Sequence, residues 1–109
     1  MTKRLVQLGA KKVVIASRNI KEMERVKNEC IDKSRVDIMQ LDLSKPEECL
    51  EKVKVFVQTS GEVDIVINNA GITMREEFVK TEFETCKMMM NTNCMSHIAI
   101  TKGFLPLLV

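Results

Sequence analysis

Three short apolar runs constrain this chain most. They are VVIAS at 13–17, VDIMQL at 36–41 and VDIVI at 63–67, each rich in β-branched residues. Val13, Val14 and Ile15, closed by Ala16, read as a strand buried on both faces. The second run alternates in part, so its burial is ambiguous. Stretches with helical spacing separate the runs. Ile20, Met23, Val26, Cys30 and Ile31 recur at that spacing after the first run. Leu50, Val53, Phe56 and Val57 do so after the second. The chain therefore reads helix, strand, helix, strand, helix, strand, helix. Short connections and strict alternation argue an α/β fold with a parallel sheet and right-handed crossovers. No internal repeat or low-complexity linker interrupts it, so residues 1–109 read as one domain.

The boundaries carry local signals. TKRLVQLG at 2–9 reads as the end of a helix, with Gly9 at the residue after the cap. Asn19 is placed to cap the next helix, with Glu22 as its partner three residues on. Ser44 with Glu47, and Pro46 in the first turn, open the following helix. Thr81 with Glu84 opens the last. Its expected apolar stripe is Phe83, Cys86, Met89 or Met90, Cys94, Ile98 and Thr101 or Lys102, running toward Pro106. Residues 91–96 contain Asn91, Thr92, Asn93 and Ser96, all weak helix formers, and predict a bend or a face turned to a polar site.

Composition excludes several classes of function. The net charge of +2 over 109 residues makes no electrostatic case for nucleic acid, and the mixed charges read as solvated helix faces. The four cysteines, at 30, 49, 86 and 94, form no CxxC pair, and the one histidine, His97, belongs to no spaced ligand set. No metal site is expected. No signal peptide or apolar run of about 18 residues is present, so no membrane span is expected. A reducing, cytoplasmic compartment is the default, and membrane association of a longer parent stays open.

In open α/β sheets, ligands bind beyond the carboxyl ends of the strands. Ser17 and Arg18 follow the first run, Asp42 follows the second, and Asn68, Asn69, Ala70 and Gly71 follow the third. All would share one rim. Arg18 presents a fork of donors suited to phosphate. An acid at this strand end would select a nicotinamide cofactor without a 2′-phosphate. Positions 16–18 hold none, so if a dinucleotide binds, the 2′-phosphorylated form is favoured. The plain alternative is a surface arginine at a strand exit. Asp42 can accept from an adenine amino group or from free N–H groups of the next helix. Paired amides at a buried strand end need partners and can bridge diverging strands. Ala70 and Gly71 leave room for a ribose, although Asn and Gly also suit a plain turn.

Taken together, these stretches resemble the classical short-chain dehydrogenase/reductase family over essentially the whole chain. GEVDIVINNAG at 61–71 looks like the family's fourth-strand segment, and LDLS at 41–44 like the aspartate turn after its third strand. KKVVIASRN at 11–19 resembles its second strand with the arginine of NADP-preferring members. MMMNTNCMSHIAITKGFLP at 88–106 resembles the helix with the active-site asparagine, which is Asn93 by register. The resemblance implies that Arg18, with Ser17, holds the 2′-phosphate of NADP. Asp42, beside Leu43, would contact the adenine. Asn68 would steady the sheet, Ala70 and Gly71 would pass beside the ribose, and Asn93 would hold a water of the catalytic proton relay. The substrate would be a small carbonyl compound or secondary alcohol.

The family's TGxxxGxG turn, whose N–H groups face the diphosphate, is not found in these residues. Its YxxxK pair is not found either, and the sequence has no tyrosine. The expected fold is thus a partial Rossmann-like parallel sheet with flanking helices, without the first, central strand of the order 3-2-1-4-5. Marginal stability follows. The expected identity is a fragment or truncated product of an NADP-dependent short-chain oxidoreductase, inactive in isolation. The alternative is a non-catalytic chain whose α/β face, with Met88–Met90 and LPLLV exposed, meets a partner or a second copy. A receiver-type or flavodoxin-like domain fits less well, since it needs an early acidic or phosphate-binding loop.

Overall fold

A computed structural model describes residues 1–60, 62–69 and 78–108. The chain divides into two compact units, residues 1–41 and 42–109.

In the first unit, α1 (Thr2–Gln7) leads into β1 (Val13–Ser17), α2 (Ile20–Asn28) and β2 (Val36–Gln40). Gly9 ends α1 as its sequence predicts. It adopts φ 98°, and the N–H groups of Gly9 and Ala10 donate to Val6 O and Leu5 O at 3.1 Å each. Only glycine enters that left-handed region without strain. Arg35 secures the same end, its guanidinium donating to the carbonyls of Val6 and Ala10. Asn19 caps α2, accepting from Glu22 N–H at 3.1 Å. Glu22 does not return the bond of a capping box; its carboxylate instead pairs with Arg25 at 2.8 Å. This is one of the solvated charge networks expected of the helix faces.

β1 and β2 are parallel, with Val13 opposite Val36 and Ser17 opposite Gln40. The core of the unit gathers Val6, Cys30 and Val36, with Val13 and Ile15 packed against it. β1 is half-buried rather than enclosed on both faces, and Ala16 is exposed. The physical reason is its single neighbour: among the described residues the sheet has two strands, and β2 covers one edge of β1 only.

The second unit holds α3 (Pro46–Ser60), α4 (Phe83–Met90) and α5 (Ser96–Leu108), with a π-helical turn at Asn91–Met95 joining the last two. Two expected caps differ. Pro46 is the first residue of α3 and Lys45 O accepts from Cys49 N–H, so Ser44 lies outside the helix. Asp42 has already claimed the Ser44 N–H and hydroxyl. Glu82, not Thr81, stands at the start of α4, without a side-chain cap bond. Pro106 lies inside α5, which runs on to Leu108. In the last turn a proline removes one hydrogen bond, and the carbonyl it frees belongs to the exposed Lys102.

The third strand is absent. Residues 62–69 join no ladder, and Ile65 is 76% exposed. A β-branched run becomes a strand only beside another, and among the described residues none flanks it. In the order 3-2-1-4-5 its neighbour would be strand one.

The inward face of α5 also differs from the expected stripe. Thr92, Ser96, Ala99, Gly103 and Phe104 are buried, whereas Phe83 and Ile98 are exposed. α5 packs against α3 so closely that small residues form the contact. A Cβ on Gly103 would lie 3.0 Å from Val53 Cβ and overlap a methyl of that side chain. Phe56 and Phe104 complete the contact edge to face, with ring centroids 5.9 Å apart.

Candidate functional site

In the first unit, the chain leaves the carboxyl end of β1 through Ser17 and Arg18. Leu41 N–H donates to Ser17 O at 2.9 Å, so the exit from β2 lies beside that end. Ser17 Oγ accepts from Asn19 N–H at 3.5 Å. Gln40 Nε2 donates to Arg18 O at 3.2 Å and fixes the backbone there. The Arg18 side chain is exposed and makes no ion pair with a described residue. A guanidinium so placed is available to an anion.

In the second unit, Asp42 opens a tight turn. Its Oδ1 accepts from Ser44 N–H at 3.0 Å and Ser44 Oγ at 2.6 Å, and its carbonyl accepts from Lys45 N–H at 3.0 Å. Cys49 Sγ donates to that same carbonyl at 3.3 Å. The next carbonyl, of Leu43, accepts from the hydroxyl of Ser96, whose side chain is 0% exposed. Burial pushes the Cys49 thiol above its ordinary value, with the Ser96 hydroxyl opposing the shift. Cys49 is thus a weak donor in a packed interior and a poor nucleophile.

Asn93 lies in the π-helical turn, between the buried Thr92 and the half-buried Cys94, with its own side chain exposed. Such turns are rare and occur often at functional sites. Asn68 is exposed, and its Nδ2 donates to Thr101 Oγ1 of α5 at 3.1 Å. Its bond thus reaches a helix, and among the described residues no strand flanks 62–69. Ala70 and Gly71 lie outside the described residues. A shallow depression of about 290 Å³ is lined by Asn68, His97, Ile98, Thr101 and Lys102. His97 Nε2 is buried there with no hydrogen-bond partner among the described residues. No group of three metal-ligating side chains occurs among the described residues, and no described helix is long and apolar enough to cross a membrane.

The structure thus brings together Ser17 with Arg18, and Asp42 and Leu43 with Cys49 and Ser96. The sequence reading missed Cys49, Ser96 and Thr101. Of the three only Ser96 carried a signal, its spacing: Thr92, Ser96, Ala99 and Gly103 recur at helical intervals as small residues among large apolar ones.

A family model described as short chain dehydrogenase matches residues 1–109. The chain belongs to the short-chain dehydrogenase family. Among curated relatives, dehydrogenase/reductase SDR family member 7B of Rattus norvegicus is 31% identical over 113 residues, covering 97% of this chain and 35% of that protein. Dehydrogenase/reductase SDR family member 7 of Mus musculus is 29% identical over 107 residues, covering 94% and 31%. A metagenomic short-chain oxidoreductase solved in complex with NADP superposes with a TM-score of 0.85 at 20% identity, covering 96% of this chain and 48% of that one. The likeness to that oxidoreductase, at 20% identity, shows the fold. The chain spans about a third of the length of these two curated relatives.

Proposed function

We propose that this chain carries the adenosine side of an NADP(H) site, within one incomplete dinucleotide-binding domain of a short-chain oxidoreductase. The parent reaction is reversible hydride transfer between NADP(H) and a carbonyl compound or secondary alcohol. The observation that carries the reading is the end of β1. Arg18 follows it directly, with an anchored backbone and a guanidinium unpaired among the described residues, and positions 16–18 hold no acid. That combination favours a 2′-phosphate over a free 2′-hydroxyl. Asp42 and Leu43 follow β2 and would take the adenine. Ala70 and Gly71 would pass beside the ribose, and Asn68 would hold the start of that segment. Asn93 would orient a water of the proton relay. NADP(H) would supply the hydride, and this chain's residues would bind and orient its adenosine end.

The 109 residues contain no tyrosine, so the general acid of the family's reaction is not among them. The isolated chain should bind the cofactor weakly and reduce no ketone. Titration with NADPH and NADH, followed by addition of a ketone panel, tests both points. Weak uptake favouring NADPH, with no loss of absorbance, is expected. Equal uptake of the two would overturn the cofactor assignment, and turnover would overturn the inactivity.

A second reading, a non-catalytic chain that meets a partner or a second copy, draws on the exposed Phe83, Met88, Met90 and Leu105. A monomer by light scattering, with one cooperative unfolding transition, would count against it.

A further inference from the structure

Ser96 is the one fully buried hydroxyl among the described residues, and its bonds reach in two directions. Its side chain donates to Leu43 O, across 53 positions of sequence. Its backbone N–H donates to Asn91 O and so closes the π-helical turn that carries Asn93. Cys49 Sγ holds the adjacent carbonyl, of Asp42, at 3.3 Å, and the Ser96 hydroxyl lies against that sulfur. Two consecutive carbonyls of one turn are thus fixed by two buried side chains, and the same serine fixes the end of the other turn. A buried carbonyl left without its donor keeps its full desolvation cost. The Asp42 turn therefore has one low-energy position relative to Ser96, and residues 91–95 have one relative to the same atom.

We propose that Ser96 is a positioning residue: its hydroxyl and its N–H hold the Asp42–Leu43 turn and the Asn93 turn in a single arrangement. It touches neither the cofactor nor the reacting atoms. This rests on the cofactor reading above for its functional consequence but not for its geometry. It extends that reading by making adenine recognition and placement of the relay asparagine depend on one buried bond. In the parent enzyme its loss would lower affinity at the nucleotide end and misplace Asn93 together.

The test uses the 109-residue chain, ¹H–¹⁵N spectra and adenosine 2′,5′-bisphosphate as the probe. Ser96→Ala removes the donor. Ser96→Cys keeps a side chain of similar size with a weak donor, and serves where the alanine variant does not fold. Thr101→Ala removes a different bond of α5 and is the control. In Ser96→Ala, the amides of Leu43 and Ser44 and those of residues 91–95 should shift together. Bisphosphate affinity should fall about tenfold, the scale of one lost buried hydrogen bond. Ser96→Cys should lie between the wild type and Ser96→Ala in both measurements, and Thr101→Ala should move neither set of amides. Unchanged Leu43 and Ser44 amides in Ser96→Ala, or equal shifts in Thr101→Ala, would overturn the proposal. If the wild-type chain takes up no bisphosphate, the cofactor reading fails, while the amide shifts still decide the positioning role.

Discussion

Gly103→Ala tests the packing that sets α5 against α3. The backbone at 103 does not require glycine, because Gly9 alone has a positive φ among the described residues. On propensity, alanine should stabilise α5 by about 1 kcal/mol. The new methyl, however, would overlap a Val53 methyl and lie 3.0 Å from Val53 Cβ, whereas Leu50 Cδ1 at 3.7 Å is in ordinary contact. Val53 is 0% exposed and, as a β-branched residue in a helix, has little rotamer freedom. Overpacking of this kind costs roughly 1–3 kcal/mol, so after the gain in propensity the net expectation is a loss of about 0–2 kcal/mol, centred near 1 kcal/mol. Val53→Ala alone removes two methyls and should cost roughly 2 kcal/mol. In the double variant the vacated space accepts the new Cβ. The pair should therefore be less destabilised than the sum of the two by at least about 1 kcal/mol. Urea unfolding followed by circular dichroism, with an unchanged slope, measures the cycle. Additivity within about 0.5 kcal/mol would refute the close approach of the two helices at this point.

Two further predictions concern local bonds. Asn19→Ala removes the acceptor of Glu22 N–H and should cost about 1 kcal/mol, read as a lower urea midpoint and faster amide exchange at Glu22; an unchanged exchange rate would remove the cap from the account. Burial raises the Cys49 pKa, so the folded state holds the thiol proton more tightly than the unfolded state does. That contribution is complete below the unfolded value of 9.0 and is lost as pH rises from there through the folded value. Unfolding midpoints of the wild type should therefore fall above about pH 9 more steeply than those of Cys49→Ala, and parallel curves would contradict it.

The sequence was most informative where one residue decides one backbone feature. Gly9 and Asn19 show this: a positive φ and a free helix N–H each have a short list of solutions. The weak helix formers at 91–96 likewise announced a disturbance, and a π-helical turn lies there. The sequence was less informative where the outcome depends on neighbours. VDIVI has the composition of a buried strand, yet no strand flanks it among the described residues, so it forms no ladder. The inward face of α5 was misread because hydrophobicity marks burial only when large side chains fill the space. Here α3 approaches too closely, and Thr92, Ser96, Ala99 and Gly103 turn inward. The candidate site was legible as residue types at strand ends, Arg18 and Asp42 above all. The bonds that hold Asp42 and Leu43 were not, because Cys49 and Ser96 reach them only through tertiary packing.

Recognition of a 2′-phosphate by Arg18 is the step on which the proposed cofactor preference depends. It is tested most directly by the affinity ratio of adenosine 2′,5′-bisphosphate to adenosine 5′-monophosphate, measured calorimetrically for the wild-type chain and for Arg18→Ala. A charge-assisted contact at an exposed site, discounted for solvent screening, amounts to about tenfold. The wild-type chain should prefer the bisphosphate by about that factor, and Arg18→Ala should bind both alike. A ratio that is the same in the two proteins would contradict it.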